Sequence, residues 1–281
     1  MQINKPENTL QNISVGSKEI NAARVAFFLP GFVISTWAPM IPMVKARLKL
    51  EADVLVRLLL CIGIRAFIFM PLAGALVKRF GCKKVVITGA TLMALISVLL
   101  SCLQNIWSYA IALAFFGAVM GATDVSMNTN AVIVEKLAGR RLLSGMHAFW
   151  SIGCFASAGL FSVLASSGSN LTLIATLHCA IVLALLAVFG RHLLDYKIPG
   201  GEKAFAIPRG IVIVLGILAC ISFLVEGAVM DWSGVLLTEV KNMDIALAGT
   251  GYAIFSVAML IMRLLGDKTV QFLGEQKAVI G

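Results

Sequence analysis

Long apolar stretches alternate with short polar ones along almost the whole chain. Eight stretches reach roughly the 20 mostly apolar residues that a membrane-spanning helix requires. They run Ala23–Val44, Val54–Val77, Val85–Leu103, Ser108–Val134, His147–Ser166, Leu171–Phe189, Ile211–Leu237 and Gly251–Leu265. No run alternates apolar and polar with a period of two, so a β-barrel is not indicated. Backbone groups in hydrocarbon must bond within their own segment, so each stretch is expected to be a helix. The fold class is therefore an all-α polytopic membrane protein.

Composition agrees with the pattern. Hydrophobic residues make up 59% of the 281 and charged residues 13%, with a mean hydropathy of +0.95. Soluble domains hold about 25% charged residues, and a core of this length could not hide so much apolar surface. The first 20 residues are polar, so no cleavable leader is read and the first apolar stretch is expected to stay in the membrane.

The net charge of +9 raises nucleic acid as a partner, but its placement argues against that. Lys and Arg fall in short runs between apolar stretches, as topology signals do. With a cytoplasmic N-terminus, sixteen of the 23 Lys and Arg lie in inside segments and four outside; Arg57, Arg65 and Arg263 lie within helices. The expected partners are the lipid bilayer, a small-molecule solute and protons, with no nucleic acid. The six cysteines show no C-x-x-C spacing and suggest neither a disulfide framework nor a metal site. Walker, H-E-x-x-H and G-x-S-x-G motifs are absent, so neither ATP coupling, catalysis nor a cofactor is expected.

An internal repeat is visible. Phe28-Leu29 and Trp37 in helix 1 reappear as Phe223-Leu224 and Trp232 in helix 7, both 195 positions on, and Gly81 after helix 2 is matched 193 positions on by Gly274. Two six-helix units in the same orientation are expected from such an offset. The expected domains are a cytoplasmic tail (1–22), an N-terminal six-helix bundle (23–189), a cytoplasmic linker carrying Pro199-Gly200-Gly201 (190–210), and the start of a second bundle (211–281). A complete repeat would end near residue 400, roughly one more four-helix set; the sequence as given is expected to lack helices 9–12.

The loop Gly74-Ala-Leu-Val-Lys-Arg-Phe-Gly81-Cys-Lys-Lys84 resembles the signature of the major facilitator superfamily, Gly-x-x-x-Asp-Arg-x-Gly-Arg-Lys. Gly74, Arg79, Gly81, Lys83 and Lys84 match it; Lys78 stands where the family has Asp. The resemblance implies that this loop gates the cytoplasmic side, and Lys78 puts the family's acidic latch in doubt. A closer resemblance is to the fucose-permease-like bacterial branch. It rests on Phe28-Leu29-Pro30-Gly31 with Trp37, on Asp124-x-x-x-Asn128, on His147-Ala-Phe-Trp150-Ser151-x-Gly153 and on Glu226-Gly-x-x-x-Asp231-Trp232. Fucose-type permeases carry an acid four residues before a proline in helix 1; here that position is Ala38, ahead of Pro42. The drug-antiporter motifs of helices 4 and 5 are absent.

Intramembrane ionisable groups are costly and mark either a transport pathway or a structural pair. Asp124 reads as a proton carrier with Asn128 as a solute hydrogen-bonding group; the plainer reading is a polar clasp with Gly117 and Gly121 as close-packing glycines. His147, Trp150, Ser151 and Cys154 form one stripe of helix 5, a solute face or a packing face. Glu226 and Asp231 lie about 140° apart around helix 7 and cannot share a face. Glu226 is deep enough for a cavity, while Asp231 beside Trp232 fits an interfacial anchor as well. Arg65 at mid-helix needs a partner or water, and reads as an anion anchor or a tolerated oddity. The expected function is secondary active transport of a small polar solute such as a sugar or organic acid, coupled to protons by symport, across a bacterial inner membrane. The alternatives are a non-transporting fragment of such a transporter, and a membrane enzyme or structural subunit.

Overall fold

The computed structural model describes residues 15–197 and 209–273. All eight expected helices are present: α1 Ser17–Leu48, α2 Ala52–Phe80, α3 Cys82–Cys102, α4 Ile106–Ala138, α5 Leu143–Ser166, α6 Leu171–Phe189, α7 Ile211–Val235 and α8 Thr250–Leu273. Seven are long and apolar enough to cross a membrane on their own. α2 meets the same measure only when its two pieces, Ala52–Met70 and Leu72–Phe80, bent by 54°, are taken together. In the sequence Pro71 falls between the two pieces, and a proline has no N–H to give to a helical ladder.

Most of the helices outrun the apolar stretches that announce them. α1 starts at Ser17, six residues before the expected span, where the Glu19 carboxylate accepts the Gly16 N–H at 2.8 Å. Polar side chains satisfy several other ends. The Asn105 side chain accepts from Trp107 N and Ser108 N at the start of α4, and Asn170 does the same for Leu173 N at α6. Glu135, late in α4, accepts both Leu142 N (2.6 Å) and Leu143 N (2.8 Å). A carboxylate there meets the unpaired amides and positive pole of α5.

α1 is the central post. It carries Pro30, Pro39 and Pro42 internally, is buried along most of its length, and packs against α3, α4, α5, α6 and α7. α1 and α5 pass backbone to backbone: a Cβ at Gly31 would sit 2.6 Å from Trp150 O, and one at Gly153 would sit 2.4 Å from Phe28 O. Around this contact α2 packs on α4, α3 on α4 and α6, and α8 on α5. The core is aliphatic and aromatic, with Phe27, Leu29, Tyr109, Phe116 and Phe161 fully buried. α7 leans on α1 and α8 from Glu226 onward; its residues Ile211–Val225 are exposed.

At the end where α1 finishes, Lys45 pairs with Glu239 (2.5 Å), tying α1 to the turn after α7, and Arg47 donates to the carbonyls of Leu100 (3.0 Å) and Ser101 at the close of α3. At the other end, the expected linker begins differently. Gly190–His192 form a further helical turn, Leu193 and Leu194 are buried, and Asn130 donates to Leu194 O at 2.9 Å. The apolar pair Leu193-Leu194 explains this: it has a core to enter, so residues 190–197 belong to the packed bundle. Pro199-Gly200-Gly201, Gly274 and most of the N-terminal tail lie outside the described residues.

Candidate functional site

The signature loop turns at Gly81, which ends α2 and begins α3 with φ +87°, a backbone state that a side chain would strain. The segment after α6 clasps it. Tyr196 O accepts Cys82 N (2.8 Å), Arg191 O accepts Lys83 Nζ (2.7 Å), and a Cβ on Gly81 would meet Asp195 Oδ1 at 2.6 Å. Lys78 and Lys84 are exposed, Arg79 lies over the Phe80 ring at 5.1 Å, and Gly74 is in the last two turns of α2. The loop is thus held by carbonyls of residues 191–196.

On α4, Asn128 Nδ2 donates to Asp124 O (2.9 Å) and lies 3.5 Å from Asp124 Oδ1. Both side chains line a cavity of about 570 Å³ whose described walls are Val125, Thr129, Val132 and Ile133 of α4 with Tyr196. Gly117 and Gly121 share this side of α4, and a Cβ on either would strike Ile62 O (2.3 Å) or Ala66 O (2.6 Å) of α2. The close-packing role read for these glycines is what they do.

A second cluster forms where α5, α7 and α8 converge. Arg263 of α8 donates to Ser151 Oγ (2.6 Å) and His147 O (3.4 Å) of α5, and to Glu226 Oε2 (3.2 Å) of α7. Glu226 and Arg263 are each about one-fifth exposed, at 18% and 20%. The His147 ring meets Phe27 edge-on at 4.9 Å. One turn beyond Ser151 on α5, Cys154 Sγ accepts the Tyr252 hydroxyl at 3.6 Å. Trp150, Met230 and Phe255 pack beside this region from α5, α7 and α8. Of the α5 stripe, the Ser151 and Cys154 side chains meet α8, while the His147 ring turns to α1.

Glu226 and Asp231 diverge as their spacing requires. Asp231 faces α1, where its carboxylate lies toward the Trp37 indole, although neither Asp231 Oδ1 nor Trp37 Nε1 reaches hydrogen-bonding geometry. Trp37 is 3% exposed and tilts against Tyr109 of α4, 6.2 Å between ring centres. The candidates therefore stand in three groups: Asp124 with Asn128, Trp37 with Asp231, and His147 and Ser151 with Glu226, while Trp150 packs beside the last. Arg65 lies on the exposed side of α2.

Two residues gain a place that sequence reading did not give them. Arg263 was visible only as a charge inside helix 8. Its partners are 37 and 112 positions away in the chain, on helices whose contact no local pattern reports. His178 of α6 is buried, stacked on Phe32 at 4.9 Å, with its ring nitrogens 2.8 Å from Ile174 O and 3.2 Å from Ser157 O. A single histidine in the apolar run of α6 was its one signal.

Long apolar helices that bury glycines against one another and gather charge between them define a polytopic helical membrane protein. The chain belongs to the Major Facilitator Superfamily, whose family model matches residues 25–281. An uncharacterised MFS-type transporter of Yersinia pestis is 40% identical over 272 residues, covering 96% of this chain and 71% of that protein. Membrane protein MosC of Rhizobium meliloti is 29% identical over 280 residues, covering 96% and 68%. Among solved structures, the nucleoside transporter NupG superposes with a TM-score of 0.66 at 13% identity, covering 92% of this chain and 69% of that one. At that identity the likeness concerns the fold.

Proposed function

We propose that the protein moves a small polar solute, such as a sugar or an organic acid, by alternating access, in symport with protons. The observation that carries this reading is the charged cluster Glu226–Arg263–Ser151 drawn from three helices at mid-span. Charge at that depth is costly to keep and by default belongs to a pathway. Asp124, beside its cavity, serves as a proton carrier and Asn128 as a solute hydrogen-bonding group. Trp37, His147, Trp150, Ser151 and Asp231 line the same pathway in one or other of its open states. The solute crosses chemically unchanged, and no cofactor takes part.

In this reading α1–α6 form one bundle and α7–α8 open a second, rocking against each other about the α1–α7 and α5–α8 contacts. The loop from Gly74 to Lys84 gates one side. Its basic residues, and those of the α4–α5 loop, support a cytoplasmic location for that side and for the N-terminus. The bacterial sources of the relatives support a bacterial inner membrane.

Uptake by the protein in proteoliposomes tests the proposal. With an imposed inward proton gradient, a panel of sugars, nucleosides and organic acids is expected to contain at least one solute with saturable, gradient-dependent uptake. Uptake of it falls sharply in Asp124→Asn and Glu226→Gln. Uptake indifferent to both substitutions and to the gradient would remove the proposal.

A further inference from the structure

The geometry points to Arg263 as the anchor of a carboxylate-bearing solute, with Glu226 occupying that anchor when the solute is absent. This rests on the transport reading above and narrows its solute class to small organic anions.

Arg263 offers five N–H donors in a planar fork suited to two-point binding of a carboxylate. Here the fork is not used that way. Its contact with Glu226 is a single hydrogen bond, Nη2 to Oε2 at 3.2 Å, long for a charge-assisted bond. The short contact at 2.6 Å goes to the neutral Ser151 hydroxyl from the other terminal nitrogen. Ser151 thus aims the fork from α5 while Glu226 holds it loosely from α7. Both charged side chains keep about one-fifth of their surface exposed. A buried structural pair would be expected to close both oxygens onto the fork.

Position agrees. Ser151, Glu226 and Arg263 each lie within about one helical turn of the midpoint of their helices. Around the Cys154–Tyr252 contact that adjoins them, the packed side chains of Trp150, Met230 and Phe255 supply an apolar wall. A ligand with a carboxylate at one end and a carbon frame at the other matches both parts. A bidentate carboxylate outbids the one-point contact of Glu226, so binding releases α7 from α8. Arg65, the anion anchor that the sequence suggested, stands on an exposed side of α2.

The test is thermal unfolding of the purified chain in detergent with matched pairs: glucuronate against glucose, gluconate against glucitol, benzoate against benzyl alcohol. At least one carboxylate is expected to raise the midpoint while its neutral partner does not. Arg263→Lys keeps the charge and loses the fork, and is expected to weaken that binding about tenfold, a loss of roughly 1.4 kcal/mol. Glu226→Gln removes the competitor and is expected to tighten it. Stabilisation by no carboxylate, equal stabilisation by a neutral partner, or a response unchanged in Arg263→Lys would each overturn the assignment. The two readings fail separately: uptake of neutral solutes alone removes the anion site and leaves transport, whereas carboxylate binding without uptake of anything removes transport and leaves the site.

Discussion

Gly31 on α1 and Gly153 on α5 lie in one backbone-to-backbone contact, where a Cβ on either would come within 2.6 Å of the opposing helix's carbonyls. Both belong to the motifs by which the sequence resembles sugar permeases. Their physical task is to let the central post and α5 touch, which sets the distance from α1 to the polar stripe His147–Cys154.

Gly153→Val is therefore expected to cost about 1–3 kcal/mol by overpacking and to lower the unfolding midpoint in detergent. Gly145→Ala and Gly159→Ala on the same helix face open space and are expected to leave it unchanged. Equal effects at all three positions would show that α1 and α5 do not meet as described.

Removing one member of the Glu226–Arg263 pair leaves the other charge poorly compensated, at a cost of about 3–5 kcal/mol for a buried pair and less for one partly exposed. Arg263→Gln alone is expected to destabilise more than the Arg263→Gln/Glu226→Gln double variant. Strict additivity in that cycle would mean that the two side chains do not interact.

Glu135 satisfies two amides at the start of α5. Glu135→Ala is expected to cost about 1–2 kcal/mol, the usual range for a lost helix cap, and to speed proteolysis between α4 and α5. Unaltered cleavage there would show that another group caps α5.

The helices were legible in the sequence because lipid allows little else: an apolar run of sufficient length must be a helix, and all eight runs are. Ends were less legible. Ser17 to Ala22 continue α1 although Ser17, Lys18, Glu19 and Asn21 are polar, and Leu193-Leu194 pack inward although they follow the last apolar run of the first bundle. Both outcomes depend on caps and on neighbours supplied by distant helices. The site was half legible for the same reason. Spacing put His147, Trp150, Ser151 and Cys154 on one face and sent Glu226 and Asp231 apart. It could not say that Arg263 would join Ser151 to Glu226, because that depends on α8 lying against α5.

Topology has its own test. With native cysteines replaced, Lys241→Cys is expected to react with a membrane-impermeant maleimide from outside intact cells, and Arg140→Cys only after the cells are opened. The reverse pattern would invert the orientation drawn from the basic loops.

Solute movement coupled to protons through Asp124, with the Glu226–Arg263 cluster in the pathway, is tested most directly by following the proton. Proteoliposomes containing the protein and a trapped pH-sensitive dye, with no imposed gradient, receive a solute identified in the uptake panel. Acidification of the lumen is expected as the solute enters, with the signal abolished in Asp124→Asn or Glu226→Gln. Entry of the solute with no change in lumenal pH would contradict it.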